Sequence, residues 1–384
     1  LRLHRSFPQS SASERTLGTA AAEPEGMRIQ QGDLIVTSRS NRLPERKGER
    51  SGCIEVTHGC HLREDHLDKG LSPWEARRIV AEARIRAVQR QMARNGEPVF
   101  TGESGLLARG LSTWWDNPDV SVRRPQRSSQ PVLLKAVERG DLSVPSVKVR
   151  QVAAGPPYED LVVEQWGDLC VALPGLTLVD LCRHSHPLQA FYGVASLVSD
   201  LARFDRFTFA ESQRRVRRVQ CSLSEELSTY RGVKGVRRAR TLVDAAVVGF
   251  DSPAEAVVAW LLIVMLPPGV AVVSQLPVQT PSGLVFIDVA LPDHNIALEI
   301  SGVGKFGEHF QVRERVNDFL DRQQRLLDAG WLSVNVQAAE TLNLLELARS
   351  LYTRLHPHGV PVDEPRGPLW QEQTPELYRR DRRC

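Results

Sequence analysis

The stretch that most narrows the possible fold runs from residue 252 to residue 336. A helix is predicted from Ser252-Pro253 to just before Pro267-Pro268, with Ser252 as its cap and Glu255 at the third helical position. Three runs of strand length follow: AVVSQLPVQT, LVFIDVALP and NIALEIS. A long helix is expected over residues 308–329, its stripe made by Val312, Val316, Phe319, Leu320 and Leu327. Gly330 stops it and WLSVNV supplies a fourth strand. The order is αβββαβ, so the expected fold class is α/β, or α+β over the whole chain.

Inside this pattern, FIDVALPDHNIALEIS places one acid in each of two strands that otherwise read as buried. With Asp293-His294 as the turn, Asp288 faces Glu299, and any even loop length keeps both on one face. Facing like charges cost a hairpin up to roughly 1 kcal/mol when exposed, and more when desolvated. Two readings follow. The acids lie solvated on the wet face of a sheet, or they hold a divalent cation, Mg²⁺ or Mn²⁺, beside phosphate oxygens.

Glu255 is read as a helix cap, a metal-proximal acid, or both. Lys305, after Ser301-Gly302-Val303-Gly304, is a surface lysine or one that reaches a phosphate. Gln275 is a satisfied strand amide or a group that orients water or phosphate. Two Cys/His clusters, Cys53/His58/Cys60/His61 and Cys182/His184/His186, lack the paired spacing of a zinc site. Residues 203–240 carry eleven Lys and Arg against four acids. Arg214, Arg215, Arg217, Arg218, Lys234, Arg237 and Arg238 are the candidates there for tracking a DNA backbone. The alternative is a solvated helix face.

The remaining chain sets the frame. Its 384 residues suit two or three domains, and 41% apolar with 25% charged residues is ordinary for a globular protein. The net charge of +3 does not by itself imply nucleic acid. No apolar run is long enough for a membrane span, and the six cysteines show no regular spacing. The expectation is a cytoplasmic protein with reduced thiols and no membrane partner. Residues 1–26 read as a disordered tail, or as sequence upstream of a start at Met27. Residues 27–182 read as a mixed helix/strand region. There Ser72-Pro73-Trp74-Glu75 opens a helix with Ile79, Ala83, Ile85 and Val88 on one face and arginines around the rest. Residues 183–250 read as a basic helical linker, 251–356 as the αβββαβ unit, and 357–384 as a polar tail.

That unit resembles the core of the PD-(D/E)XK restriction-endonuclease-like superfamily. SPAE, VSQLPV, FIDVALP, EISG and GKF resemble more closely the Vsr-like domain found at the C-terminus of many actinobacterial proteins. The pieces CIEVTHGCHLRE, TGESGLLARGL, NPDVSVRRP and LPGLTLVDLCR resemble the upstream part of the same proteins. That part carries an AbiE-type antitoxin-like winged helix, which is incomplete here. The resemblance implies Asp288 and Glu299 as metal ligands, Glu255 as the helix acid and Lys305 as the accessory lysine. Ser301 stands where the family has Asp. The implied function is a Mg²⁺-dependent DNA endonuclease of defence or repair. The alternative is a non-catalytic DNA-binding or antitoxin-like regulator with a cognate toxin as partner.

Overall fold

Strands β1 (Leu34–Val36), β2 (Cys53–Thr57) and β3 (Cys60–Arg63) make an antiparallel sheet in the order β1-β3-β2. The structure is a computed structural model that describes residues 27–36, 52–67, 70–93, 96–125, 132–140, 142–152, 156, 160–301, 320–375 and 377. Helix α1 (Pro73–Met92) starts at the expected box, Ser72 and Glu75 bonding reciprocally. It buries two faces rather than one. Ile79, Val80, Ala83 and Ala87 pack on Ile54, Val56 and Leu62. Ala81, Ile85, Val88 and Met92 pack on Phe100, Val122, Val149 and Val171. Two of the arginines around the rest of the helix, Arg84 and Arg86, are therefore inside. Arg84 donates to the Pro145 and Lys135 carbonyls, and Arg86 donates to the Ile29 carbonyl and pairs with Asp168. Buried guanidinium groups are tolerated only when hydrogen-bonded in this way.

The second face of α1 meets a mixed six-stranded sheet ordered β10-β11-β4-β5-β9-β6. Its strands are β4 (Val99–Phe100), β5 (Val120–Arg123), β6 (Val132–Leu134), β9 (Val147–Gln151), β10 (Val163–Trp166) and β11 (Leu169–Ala172). Helix α2 (Gly102–Ala108) follows β4, and β7 (Val137–Arg139) with β8 (Leu142–Val144) is a separate hairpin. Helices α3 (Pro174–His184), α4 (Pro187–Leu201), α5 (Phe209–Thr229) and α6 (Val236–Asp244) come next. Pro187 and the capping imidazole of His186 separate α3 from α4.

The last third runs α7 (Pro253–Met265), β12 (Val273–Thr280), β13 (Gly283–Leu291), β14 (Ile296–Ser301), helix α8 (residues 320–328), β15 (Leu332–Gln337) and α9 (Leu344–Leu355). The sheet is ordered β12-β13-β14-β15, antiparallel except for the parallel β14–β15 pair. One hydrophobic core gathers α3 to α7, α9 and the helix-facing side of this sheet, and includes residues from Leu106 to Leu377. The segment read as a helical linker is thus core-forming. The segment read as a polar tail is packed as well: Val360, Val362, Leu369 and Leu377 are buried. Trp370 stacks on Trp260 at 5.4 Å, and Trp114 Nε1 donates to the Leu377 carbonyl at 3.0 Å.

Helix α8 lies on the opposite side of the sheet and presents a different stripe from the expected one. Leu326 is buried against Ile287, Ala290 and Ala297, whereas Leu320 and Leu327 are 54% and 59% exposed. The face toward the sheet is the one shared by Arg322 and Leu326, four residues apart, because Arg322 has partners there. Val312, Val316 and Phe319 lie outside the described residues. Among the described residues no helix is long and apolar enough to cross a membrane. Cys53, Cys60, Cys170, Cys182 and Cys221 are free thiols.

Candidate functional site

The hairpin β13–β14 has the expected register. Val289 pairs with Leu298, Ala290 with Ala297 and Leu291 with Ile296, so one step further Asp288 stands against Glu299. The connection takes four residues, Pro292 to Asn295, instead of two, with Asn295 left-handed at φ 52°. An even length keeps the parity.

On the other side of β13, Ser274 pairs with Val289 and Leu276 with Ile287, which sets Gln275 opposite Asp288. Both strands change phase at this level. Val285 and Ile287 pack with Leu326, whereas Val289 and Leu291 join the helical core, although all four share one parity. In β12, Leu276 and Val278 side with Leu326, while Ser274 donates to the Val248 carbonyl on the helical side. Gln275 makes the switch with φ 51°, left-handed for a non-glycine residue and costing on the order of 1 kcal/mol. Because the paired strands turn over together, no residue is gained or lost. Polar side chains at this level therefore lie between the two faces rather than on one.

Three carboxyl groups gather there. Glu255, at the start of α7, accepts from Ser252 Oγ (2.8 Å) and the Asp251 amide (3.0 Å), with Gln275 Nε2 at 3.4 Å. Asp288 accepts from the Ile300 amide at 2.9 Å. Glu299 accepts from Arg322 Nε at 2.5 Å, and Arg322 Nη2 lies 3.7 Å from Asp288 Oδ1. Arg322 also donates to the Phe286 carbonyl. The compensation that facing acids require is thus supplied in part by an arginine from α8.

Burial, joined by the charge of Asp288, pushes Glu255 up to about 7. The same two causes push Glu299 up to about 7, against the opposing pull of Arg322. Burial raises Asp288 too, against its bond from Ile300 and the charge of Arg322. Among the described residues, Glu299 Oε1 and Asn335 Oδ1 are buried with no hydrogen-bond partner. Glu299 and Asn335 are register partners across β14 and β15, so Gln275, Asp288, Glu299 and Asn335 stand in one row across the sheet.

A proton held more tightly in the folded state stabilises the fold at low pH. The Glu255 contribution is fully present below pH about 4.5 and is lost as pH rises through about 7, roughly 3 kcal/mol in all. Glu255→Gln removes the titration and keeps an acceptor for the Asp251 amide. Urea denaturation at pH 5 and pH 8 is expected to show a loss of stability about 1–3 kcal/mol smaller in the variant than in the parent. Parallel curves would count against a buried, near-neutral Glu255.

Sequence reasoning missed Arg206, Arg322 and Asn335. Arg206 Nη1 donates to Gln275 Oε1 (2.9 Å) and Asp251 Oδ2 (3.0 Å), and its guanidinium lies 5.5 Å from the Phe286 ring. Phe207, 74% exposed, meets Phe286 edge-on at 5.2 Å. A cleft of about 280 Å³ beside them is lined by Phe204, Asp205, Arg206, Phe250, Asp251 and Gln275, among others. Ser301 is half-buried at the end of β14 beside Gln337. Lys305 lies outside the described residues.

The seven basic candidates divide. Arg215 donates to the Ala202 and Arg203 carbonyls and pairs with Glu211, and Arg238 donates to the Cys182 and Ser185 carbonyls. These two satisfy the carbonyl ends of α4 and α3. Arg214, Arg217, Arg218, Lys234 and Arg237 are exposed, and among the described residues none has a hydrogen bond or ion pair.

The two Cys/His clusters have other occupations. His186 Nδ1 accepts from the Leu188 amide, and its Nε2 lies 3.2 Å from the Gln371 and Glu372 carbonyls. Cys60 is buried in β3, whereas the His58 side chain is 98% exposed on the preceding turn. Among the described residues, no group of three or more His, Cys, Asp or Glu is placed to hold a metal ion, so the acids at issue are a pair with a third nearby. No protein-family model, curated protein or solved structure matches this chain.

Proposed function

We propose that the protein is a DNA endonuclease-like enzyme that hydrolyses phosphodiester bonds with Mg²⁺ or Mn²⁺, acting in the cytoplasm in defence or repair. The observation that carries this reading is a row of buried and half-buried acceptors short of donors. Among the described residues Glu299 Oε1 and Asn335 Oδ1 have no hydrogen-bond partner, and Asp288 and Glu255 adjoin them with their proton affinities raised. Acceptors collected in this way fit a hard cation.

Asp288 and Glu299 would hold the ion, which when bound supplies charge neutralisation for the phosphate and acidifies water. Glu255, at about 7, is poised to take or give a proton near neutral pH. Gln275 and Arg206 fix the neighbouring wall through their mutual bond. Ser301 offers a hydroxyl where the resembling family has an acid, and Lys305 keeps the accessory role that the resemblance gives it. Arg214, Arg217, Arg218, Lys234 and Arg237 present free charge for a DNA backbone. Arg322 is 37% exposed, so its guanidinium has solvent to move into when a cation takes its place.

Supercoiled plasmid incubated with the protein and Mn²⁺ or Mg²⁺ is expected to be nicked, and Asp288→Ala and Glu299→Gln are expected to abolish the nicking. Absence of nicking by the parent protein with both ions, or equal nicking by Asp288→Ala, sinks the catalytic reading.

The bridging guanidinium favours a second reading. Arg322 already gives the acid pair one of the two positive charges that a divalent ion would give. On this reading the chain is a non-catalytic DNA-binding or antitoxin-like regulator, with DNA or a cognate toxin as partner. Fluorescence anisotropy would then show DNA binding that weakens steeply with salt and ignores EDTA. Binding that disappears on EDTA addition returns the choice to the enzyme.

A further inference from the structure

We infer that the large cavity between the six-stranded sheet and helices α3 and α6 is a binding site for a phosphate-bearing ligand. It has a volume of about 920 Å³, and none of Glu255, Gln275, Asp288 or Glu299 lines it. Ligand cavities run to roughly 300–1,000 Å³. Its basic lining comes from three separate segments: Arg150 on β9, Arg183 and His184 at the end of α3, and Arg238 on α6.

Three acids line it too, and each of them is engaged. Asp180 takes both arms of Arg123, at 2.8 and 2.6 Å, and accepts from Thr101 at 2.7 Å. Asp119 accepts from Arg150 Nε at 2.7 Å and from the Lys148 amide at 3.0 Å. Glu103 is the third, and it too has a partner. Against it stand Arg238, Arg183 and the adjacent Lys234. Arg238 is occupied by the Cys182 and Ser185 carbonyls, so it serves the end of α3. Arg183 bonds no carbonyl there. Among the described residues it has no hydrogen bond or ion pair at all.

The backbone is built to bring the cations together. Gly235, at φ 106°, opens α6, and a Cβ on it would lie 2.5 Å from the Val179 carbonyl and 3.2 Å from Arg183 Cβ. Only glycine lets the Lys234 segment come this close to the end of α3. His184 reports the resulting field. Its proton affinity is lowered first by burial, then by Arg183, Arg150 and Lys234, with Asp180 the one opposing charge. The open fork of Arg183, with the charge of Lys234 beside it, matches the tetrahedral oxygens of phosphate. A bound phosphate would reverse the sign of the field at His184.

The site stands apart from the acid row, so its test is independent of nuclease activity. Titrate the full chain with inorganic pyrophosphate by calorimetry at neutral pH and low salt. Saturable one-to-one binding is expected, weakened about tenfold or more by Arg183→Ala, largely kept by Arg183→Lys and unchanged by Asp288→Ala. The His184 imidazole, followed by NMR in the parent protein, is expected to titrate at higher pH with pyrophosphate than without it. Competition by a single-stranded oligonucleotide assigns the phosphate to a nucleic-acid backbone. Binding of pyrophosphate that the oligonucleotide leaves untouched assigns it to a free phosphate ester. No heat of binding, equal affinity in Arg183→Ala, or an unmoved His184 overturns the site.

Discussion

Trp260→Ala is expected to cost about 3–5 kcal/mol of folding stability, the range for emptying a fully buried aromatic site. Trp260 is 0% exposed, stacks on Trp370 at 5.4 Å and packs against the His186 ring at 5.9 Å. The residues around it come from α4, α7 and the segment after α9, which cannot collapse together into the space left behind. Its Nε1 has no partner among the described residues, so Trp260→Phe gives up no hydrogen bond and is expected to cost less than half as much as the alanine. Chemical denaturation of the two variants beside the parent checks both. A loss below about 1 kcal/mol for the alanine would mean that the helical core does not close through this stack.

The second large effect is expected at Arg322. Removing one partner of a buried ion pair costs about 3–5 kcal/mol. The Arg322 side chain is 37% exposed and solvent screens part of that, which leaves about 2 kcal/mol at pH 8 for Arg322→Ala. The loss should shrink at pH 5.5, because Glu299, pushed up to about 7, takes a proton there and no longer needs the cation. Mn²⁺ should restore stability to the variant at pH 8 and do little at pH 5.5. Denaturation at the two pH values, with and without Mn²⁺, tests this. A loss independent of pH would show that Arg322 acts through packing rather than charge.

The register of the acid hairpin was legible because strand periodicity is two and an even loop preserves it, whatever its length. The helix start at Ser252 was legible for a similar reason: a cap is a local device. Other features depend on partners far along the chain. Asn335 is one polar position in the strand WLSVNV until Glu299 is placed beside it. Arg322 reads as one polar position of a helix until the acids are beneath it. The phase change at Gln275 and Asp288 leaves no trace in sequence, because Val285, Ile287, Val289 and Leu291 keep an unbroken alternation. Helix α1 shows the same limit. A helix between two sheets needs inward arginines to be met by carbonyls that the sequence does not reveal.

Helix α7 carries a further consequence. From Ala256 to Leu262 every residue is at most 2% exposed, so the helix has no outer side. That surface meets β13 of the four-stranded sheet, α4, α9 and, through Trp370, the segment after α9. A gene fragment encoding only residues 251–356 would present a bare hydrophobic rod to water. The unit that folds here is therefore larger than the αβββαβ motif. It includes the helices before the motif and the segment after it, which share its core.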